Sequence, residues 1–345
     1  MYIRSTGIIS PQAGFDQILE QPVEYRGNRL SCIEPDYAGI LDPRLIRRMS
    51  HIIKMGVAAA LRCLNEAGVN NPDAIITGTA YGCLADTELF LAKMVENGEE
   101  LLTPTAFIQS THNTVGAQVA LMLKCHSYNN TIVHRGFSFE NAILDALSLL
   151  AEGEASTVLA GAVDEITDTS HSILSRFGLY KSEGVSTAGL YTAGGRGTVA
   201  GEGAAFFLLS DQRHATDYAE LKSVFTFYKP AGLPEIKKQL ADFLGSVSPG
   251  TGDLDLVITG KNGDPSNDAV YDALFRTSLP GIATMNYKHL CGEYPTSSAF
   301  ALWYAVNMLK TGKVPGNPQA KAPRTILLYN HYQHIHHSFY LVTAC

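Results

Sequence analysis

The sequence has no Cys-x-x-Cys pair. Its six cysteines, Cys32, Cys63, Cys83, Cys125, Cys291 and Cys345, are scattered along 345 residues. That spacing argues against a zinc ribbon or a dithiol redox motif. No apolar run approaches the length of a membrane span. The opening stretch, Met1 to Ser10, is too short an apolar stretch for a signal peptide and reads as a strand. No basic cluster is present, and the net charge is −7 with 17% charged residues. Nucleic acid is therefore not the expected partner. The same acidic balance argues against general attraction to an acidic protein; local Lys/Arg patches would be needed for that. The expectation is a cytoplasmic chain with reduced thiols, no metal and no cofactor.

What is present is apolar residue, 46% of the chain, enough for a large core. The length allows two domains, or one large domain built from two halves. Strand-like runs at 2–9, 75–80, 131–133, 156–161, 206–209, 221–228, 255–259, 325–329 and 339–342 alternate with helical patterns. The helices are expected over 52–68, 85–96, 137–150, 233–244, 268–274 and 297–308, with Asp42 and Pro43 opening an earlier helical region. This alternation predicts an α/β fold with parallel strand pairs. Thr131 to Val133 reads as a buried strand running into a central helix. Residues 166–196 are rich in Ser, Thr, Gly and Tyr and read as a loop region that covers something. The polar stretch 211–218 is the best join, giving halves 1–212 and 213–345. The similar layouts suggest a duplication, although no direct sequence repeat is visible.

Four segments in order carry a family resemblance. Gly197-Thr-Val-Ala-Gly201-Glu202-Gly203-Ala-Ala-Phe-Phe-Leu-Leu-Ser210 resembles a landmark of the β-ketoacyl synthases of the thiolase superfamily. Arg47-Arg48-Met49 through Glu66-Ala67-Gly68 resembles the family's early helix, and Ser156 to Glu165 the strand after its nucleophile helix. Asn130 to Ala142 stands where the family has a nucleophilic cysteine at a helix N-terminus. The resemblance implies a thiolase-like five-layered αβαβα sandwich of two pseudo-duplicated halves, usually dimeric.

In that frame the catalytic set is degenerate. The cysteine position falls at Gly136, and its neighbours Arg135, Phe137 and Ser138 are not thiols. A thiolate at a helix N-terminus is what would accept an acyl chain as a thioester. Ser138 is either a weaker nucleophile or a satisfied first-turn hydroxyl. The family's A-H-G-T-x-T-P-x-x-D corresponds to Thr259 to Asp268, placing the first histidine position at Gly260; Lys261 beside it is either functional or a solvated loop lysine. K-x-x-x-G-H corresponds to Thr284 to His289. The lysine position is Thr284, and His289 is the one retained catalytic-type residue, or else a core histidine. The glycine-rich oxyanion loop corresponds to Tyr329 to Ser338. Asn330 matches, while every glycine is replaced by a bulkier residue, which is expected to restrict φ. His334, with Phe137 and Phe139, should narrow the pocket. His331, His334, His336 and His337 invite a metal reading, but no Asp, Glu or Cys in the segment completes a set. Alternate strand positions also face opposite ways.

The leading expectation is a catalytically silent, chain-length-factor-like subunit, similar to the cysteine-less subunits of aryl-polyene and flexirubin pigment pathways. It would pair with an active β-ketoacyl synthase as a heterodimer, or with itself as a homodimer, in an acyl-carrier-protein-dependent fatty-acid, polyketide or polyene pathway. The resemblance puts the strand after the helix near residues 107–116 at the dimer interface, with Phe107, Gln109 and Thr111 as candidates. The alternatives are a divergent active acyltransferase using Ser138 or His289, and a homodimer that binds an acyl chain or acyl carrier.

Overall fold

The computed structural model describes residues 1–247 and 254–345. Its ten main strands are β1 (Tyr2–Ile9), β2 (Ala74–Gly78), β3 (Tyr128–Ile132), β4 (Thr157–Asp164), β5 (Gly203–Ser210), β6 (Ala219–Tyr228), β7 (Leu256–Thr259), β8 (Ala283–Asn286), β9 (Thr325–Tyr332) and β10 (His336–Thr343). The main helices are α1 (His51–Ala67), α2 (Leu84–Glu96), α3 (Pro104–Gln109), α4 (Thr114–Leu123), α5 (Ser138–Ala151), α6 (Asp168–Arg176), α7 (Leu233–Ser246), α8 (Pro265–Ser278) and α9 (Ser298–Thr311).

The strands run in the order β8-β7-β9-β10-β6-β1-β5-β4-β2-β3. Each set of five has the same internal order, the third, second, fourth, fifth and first strand reading inward from its edge. In both sets the outer pairs are parallel and the inner pairs antiparallel. Among the described residues the two sets of strands pair with each other at Tyr2–Glu220 and Ile3–Ala219. The duplication invisible in the residues is thus plain in the topology.

Side chains alternate between the faces of each strand, and this sorts the core into layers. Along β4, Val158 and Ala160 pack inward with α5 and α9, while Leu159 and Val163 pack outward with α1. Along β10, Tyr340 and Val342 face the central helices, while Phe339 and Leu341 face α7 and α8. The result is the αβαβα sandwich. Every residue of α9 from Ser298 to Leu309 is buried, as befits a helix that is apolar on all sides. Burying a side chain such as Phe300 or Leu302 contributes roughly 1.5–3 kcal/mol. Helices α1 and α9 end at Gly68 and Gly312, with φ of 66° and 68°, the left-handed cap that glycine adopts without a Cβ penalty.

Three expectations need correction. β3 is not a buried strand: it is the outermost of its half, with Tyr128 45% exposed and Val133, just past its end, 44% exposed. The 166–196 segment is not loop alone, because α6 forms within it behind a capping box of Thr167 and Ser170. The segment matched to the oxyanion loop is a tight hairpin, closed by Ile335 N donating to Tyr332 O at 3.1 Å. Its bulkier residues do not exclude left-handed backbone: Gln333 and His334 have φ of 55° and 54°.

Candidate functional site

The hairpin β9–β10 lies over the N-terminus of α5, and its inward face supplies the site. At the cysteine position, an ideal Cβ on Gly136 would fall 2.8 Å from His336 Cγ and 2.9 Å from His336 Cβ. The space a thiol would need is filled by an imidazole. His336 is held edge-on to Phe137, with ring centroids 4.7 Å apart, and lies near His134 and Tyr228 at 5.8 and 5.3 Å. Phe137 also stacks on His134 at 5.6 Å. Arg135, just before Gly136, takes a left-handed φ of 47°. Among the described residues His336 Nδ1 is buried without a hydrogen-bond partner, and burial lowers the imidazole's pKa, with His134 adding to the effect.

Ser138 is fully buried, and its Oγ accepts a hydrogen bond from His134 N at 2.8 Å. The hydroxyl closes the turn into α5. Phe139 does not line this site; it packs in the central core against Phe207 and Tyr340, at 5.8 and 6.2 Å. One turn further, the buried Glu140 accepts from Ser338 Oγ at 2.9 Å. Burial raises its pKa, which favours the neutral acid in the fold.

Gly260 directly follows β7, beneath the same hairpin. An ideal Cβ there would lie 2.3 Å from Asn330 Oδ1, 2.6 Å from Tyr271 OH and 3.2 Å from Asn330 Cα. A side chain fits there only if the Asn330 carboxamide and the Tyr271 hydroxyl move away. Asn330 Oδ1 accepts from Tyr287 OH at 2.9 Å, and Tyr271 OH accepts from His331 N at 2.9 Å. The group that reaches Asn330 from the K-x-x-x-G-H segment is therefore Tyr287, which the linear motif did not single out.

The two residues that were singled out lie elsewhere. Thr284 is exposed on β8, the outermost strand of the second half. His289 turns to Tyr191 OH, 3.2 Å from its Nδ1. It borders a groove of about 450 Å³ lined by Gln17, Gln21, Val23 and Thr187, none of which belongs to the Gly136 or Gly260 surroundings. Burial lowers its pKa to about 4, so the ring is neutral. Lys261 pairs with Asp272.

The four hairpin histidines divide by strand parity. His336 faces α5, while His331 and His337 are buried on the other face with Tyr271 and Tyr329. His334 stacks on His331 at 4.4 Å, and its Nε2 lies 3.1 Å from Ser266 O. Stacked rings present faces to one another, not lone pairs to a common ion. Of the interface candidates, Phe107 is 58% exposed and tilts against Phe90 at 5.6 Å. Gln109 and Thr111 turn back to Arg48 O and Ile108 O.

At both Gly136 and Gly260 the space beside the backbone is occupied by side chains of other segments. The family model described as β-ketoacyl synthase, N-terminal domain, matches residues 33–221, more than half of the chain. No curated protein matches by sequence. Among solved structures, one described as the ishigamide ketosynthase/chain length factor matches with a TM-score of 0.83 and 15% identity, covering 100% of this chain and 98% of that one. A type II polyketide synthase acyl-carrier protein in complex with its ketosynthase bound to the hexaketide, AntDE:AntF, matches at 0.79 and 15%, covering 100% and 99%. The ketosynthase ApeO with its chain length factor ApeC from Xenorhabdus doucetiae matches at 0.76 and 13%, covering 100% and 98%. At such identities the likeness establishes a shared fold. With the early helix, the strand after α5 and the Gly201-Glu202-Gly203 landmark all inside the matched span, the chain belongs to the β-ketoacyl synthase family.

Proposed function

We propose that this chain is a catalytically silent ketosynthase-like subunit, with residues 1–212 and 213–345 as its two halves. It pairs with a cysteine-bearing β-ketoacyl synthase and helps set chain length in a carrier-protein-dependent pathway of the fatty-acid, polyketide or polyene kind. The observation that carries this is the imidazole of His336 in the space of a thiol at Gly136. Losing the nucleophile removes most activity of a cooperative catalytic unit on its own. The filled space at Gly260 supports the same reading. So does the fold shared with the ishigamide ketosynthase/chain length factor and with ApeO and its chain length factor ApeC.

The pairing surface we assign is the free edge of β3. The strand Tyr128-Asn-Asn-Thr-Ile132 carries no Lys, Pro or bulge to protect its unpaired backbone. Phe107, Ile108 and Leu121 on α3 and α4 are 58%, 61% and 70% exposed. A free edge beside exposed apolar side chains suits a permanent partner, and such interfaces bury upward of about 2,000 Å².

Two measurements test the proposal. Incubation with acyl-carrier or coenzyme A thioesters, followed by intact-mass spectrometry, should show no stoichiometric acyl adduct. Co-expression with a ketosynthase encoded beside it should give a co-purifying complex. An adduct on Ser138 would instead establish an active acyltransferase, and a chain that never associates with that ketosynthase would remove the chain-length reading.

A further inference from the structure

The chain is acidic overall, yet one groove of about 600 Å³ is lined by neither a carboxylate nor an aliphatic side chain. Helix α6 contributes His171, Ser172, Ser175 and Arg176 to it. These fall on one face because residues three and four apart are neighbours on a helix. Lys181 and Arg196 line the groove from the following segment. Among the described residues neither arginine pairs with a carboxylate.

Capping of α6 does not use these charges up. Its last carbonyls are already taken by backbone, Gly178 N donating to Ser175 O at 2.9 Å and Leu179 N to Leu174 O at 3.2 Å. Arg196 gives one long bond, Nη2 to Phe177 O at 3.3 Å. Its guanidinium lies over Gly178, where an added Cβ would sit 3.0 Å from Cζ and where φ is 73°. Lys181 is different: its Nζ donates to Gly194 O, Gly195 O and Gly263 O, so it supplies charge rather than a free donor, with Asp264 behind it. His171 is fixed by stacking on Tyr180 at 5.2 Å. Among the described residues, His171 Nε2 and Ser175 Oγ are buried without hydrogen-bond partners.

We propose that this groove binds the phosphate of a phosphate ester. Two guanidinium forks and a set of hydroxyl and imidazole groups match an anion with several acceptor oxygens. The volume lies in the range of small-ligand sites. The rest of the ester can extend over Ile173 and Phe177, 49% and 69% exposed on the adjoining face of α6. The phosphate belongs either to a free phosphorylated small molecule or to the phosphodiester-linked arm of a carrier protein. The assignment rests on this surface alone and not on the loss of the nucleophile.

The test titrates phenyl phosphate into the full chain by calorimetry, with phenol as the uncharged control. Phenyl phosphate should bind, phenol should not, and Arg176→Gln should weaken binding at least about tenfold. Arg176 is exposed and its side chain makes no ion pair among the described residues, so this variant stays folded. Arg196→Gln should weaken binding similarly, with its melting temperature measured alongside because it also contacts Phe177 O. A second arm compares a carrier protein with and without its phosphodiester arm. Arginine-dependent binding of the armed form alone identifies the carrier as the source; phenyl phosphate binding without carrier binding identifies a free ester. Absence of phenyl phosphate binding at millimolar concentration, or binding indifferent to both arginine variants, overturns the proposal.

Discussion

At the scale of single residues, the site turns on a glycine and a histidine 200 positions apart in the chain. Gly136→Cys places its Cβ against His336, which must shift, and overpacking of this kind costs about 1–3 kcal/mol. His336→Ala frees that space, so the double variant Gly136→Cys/His336→Ala should be more stable than the two single effects sum to. Thermal or denaturant unfolding of the four forms measures the coupling; simple additivity would show that His336 does not contest the site. Gly136→Cys/Gly260→His should not restore condensation, because Asn330 and Tyr271 occupy the second position. Condensing activity in that variant would show that only the missing side chains silence the chain. Gly136 could be read from the sequence because it sits inside a linear motif anchored by the helix after it. His336 could not, because only the hairpin brings it there. Tyr287 was missed for a subtler reason: a histidine at plausible spacing drew the motif two residues along, and nothing in the linear pattern says which side chain points at Asn330.

At the scale of elements, the hairpin and the edge strand make opposite predictions. Gln333 is exposed and left-handed, a conformation that costs most residues roughly 1–2 kcal/mol. Gln333→Gly should therefore stabilise the chain by roughly 0.5–1 kcal/mol once the entropy of the unfolded glycine is counted; an unchanged or lowered denaturation midpoint would count against that turn geometry. On β3 and the residue just after it, Tyr128→Lys with Val133→Lys should leave the melting temperature nearly unchanged while abolishing association, as read by light scattering and co-purification. An intact complex would place the interface elsewhere. Long apolar runs such as Phe206–Leu209 were legible as strands because they are buried on both faces. β3 was read as a strand but placed wrongly, since Thr131-Ile-Val133 has the composition of a core strand and pairing on one side only leaves no mark in the residues. β8 was missed because Ala283-Thr-Met-Asn286 is short and half exposed. Helix α6 was missed because its serines and threonines act as caps and lining instead of core.

At the scale of the whole molecule, a buried acidic pair sits where the halves meet. Asp164, at the end of β4, accepts from Thr79 Oγ1 and Ala80 N in the first half and from Thr296 Oγ1 in the second. Burial raises its pKa to about 6 and that of Glu165 to about 7. From about pH 4 upward the fold therefore holds protons that the unfolded chain has released, and stability falls as pH rises through about 7. His51, raised to about 9 by its hydrogen bond to Glu202, acts in the same direction: its cation stabilises the fold below about pH 6.5 and that contribution is lost as pH rises through about 9. Glu202 is lowered, because His51 and two backbone N–H groups outweigh its burial, and its contribution disappears only at acid pH. Melting temperature should thus decline from pH 5 to pH 8.5. Glu165→Gln should flatten the lower part of that decline and raise stability at pH 8 by on the order of 3 kcal/mol; a wild-type profile that is flat or rising would contradict the acid pair's protonation. The strand order has one more consequence, for synthesis on the ribosome. Tyr2 pairs with Ser210 and Glu220, so β1 emerges about two hundred residues before either neighbour exists. α1 can shelter one of its faces in the interval, but its two hydrogen-bonding edges stay open, and non-local closure of this kind is slow. A nascent chain stalled before residue 203 presents the unmatched edges of β1 and β4 together, the state in which this protein is most exposed to aggregation and to capture by chaperones.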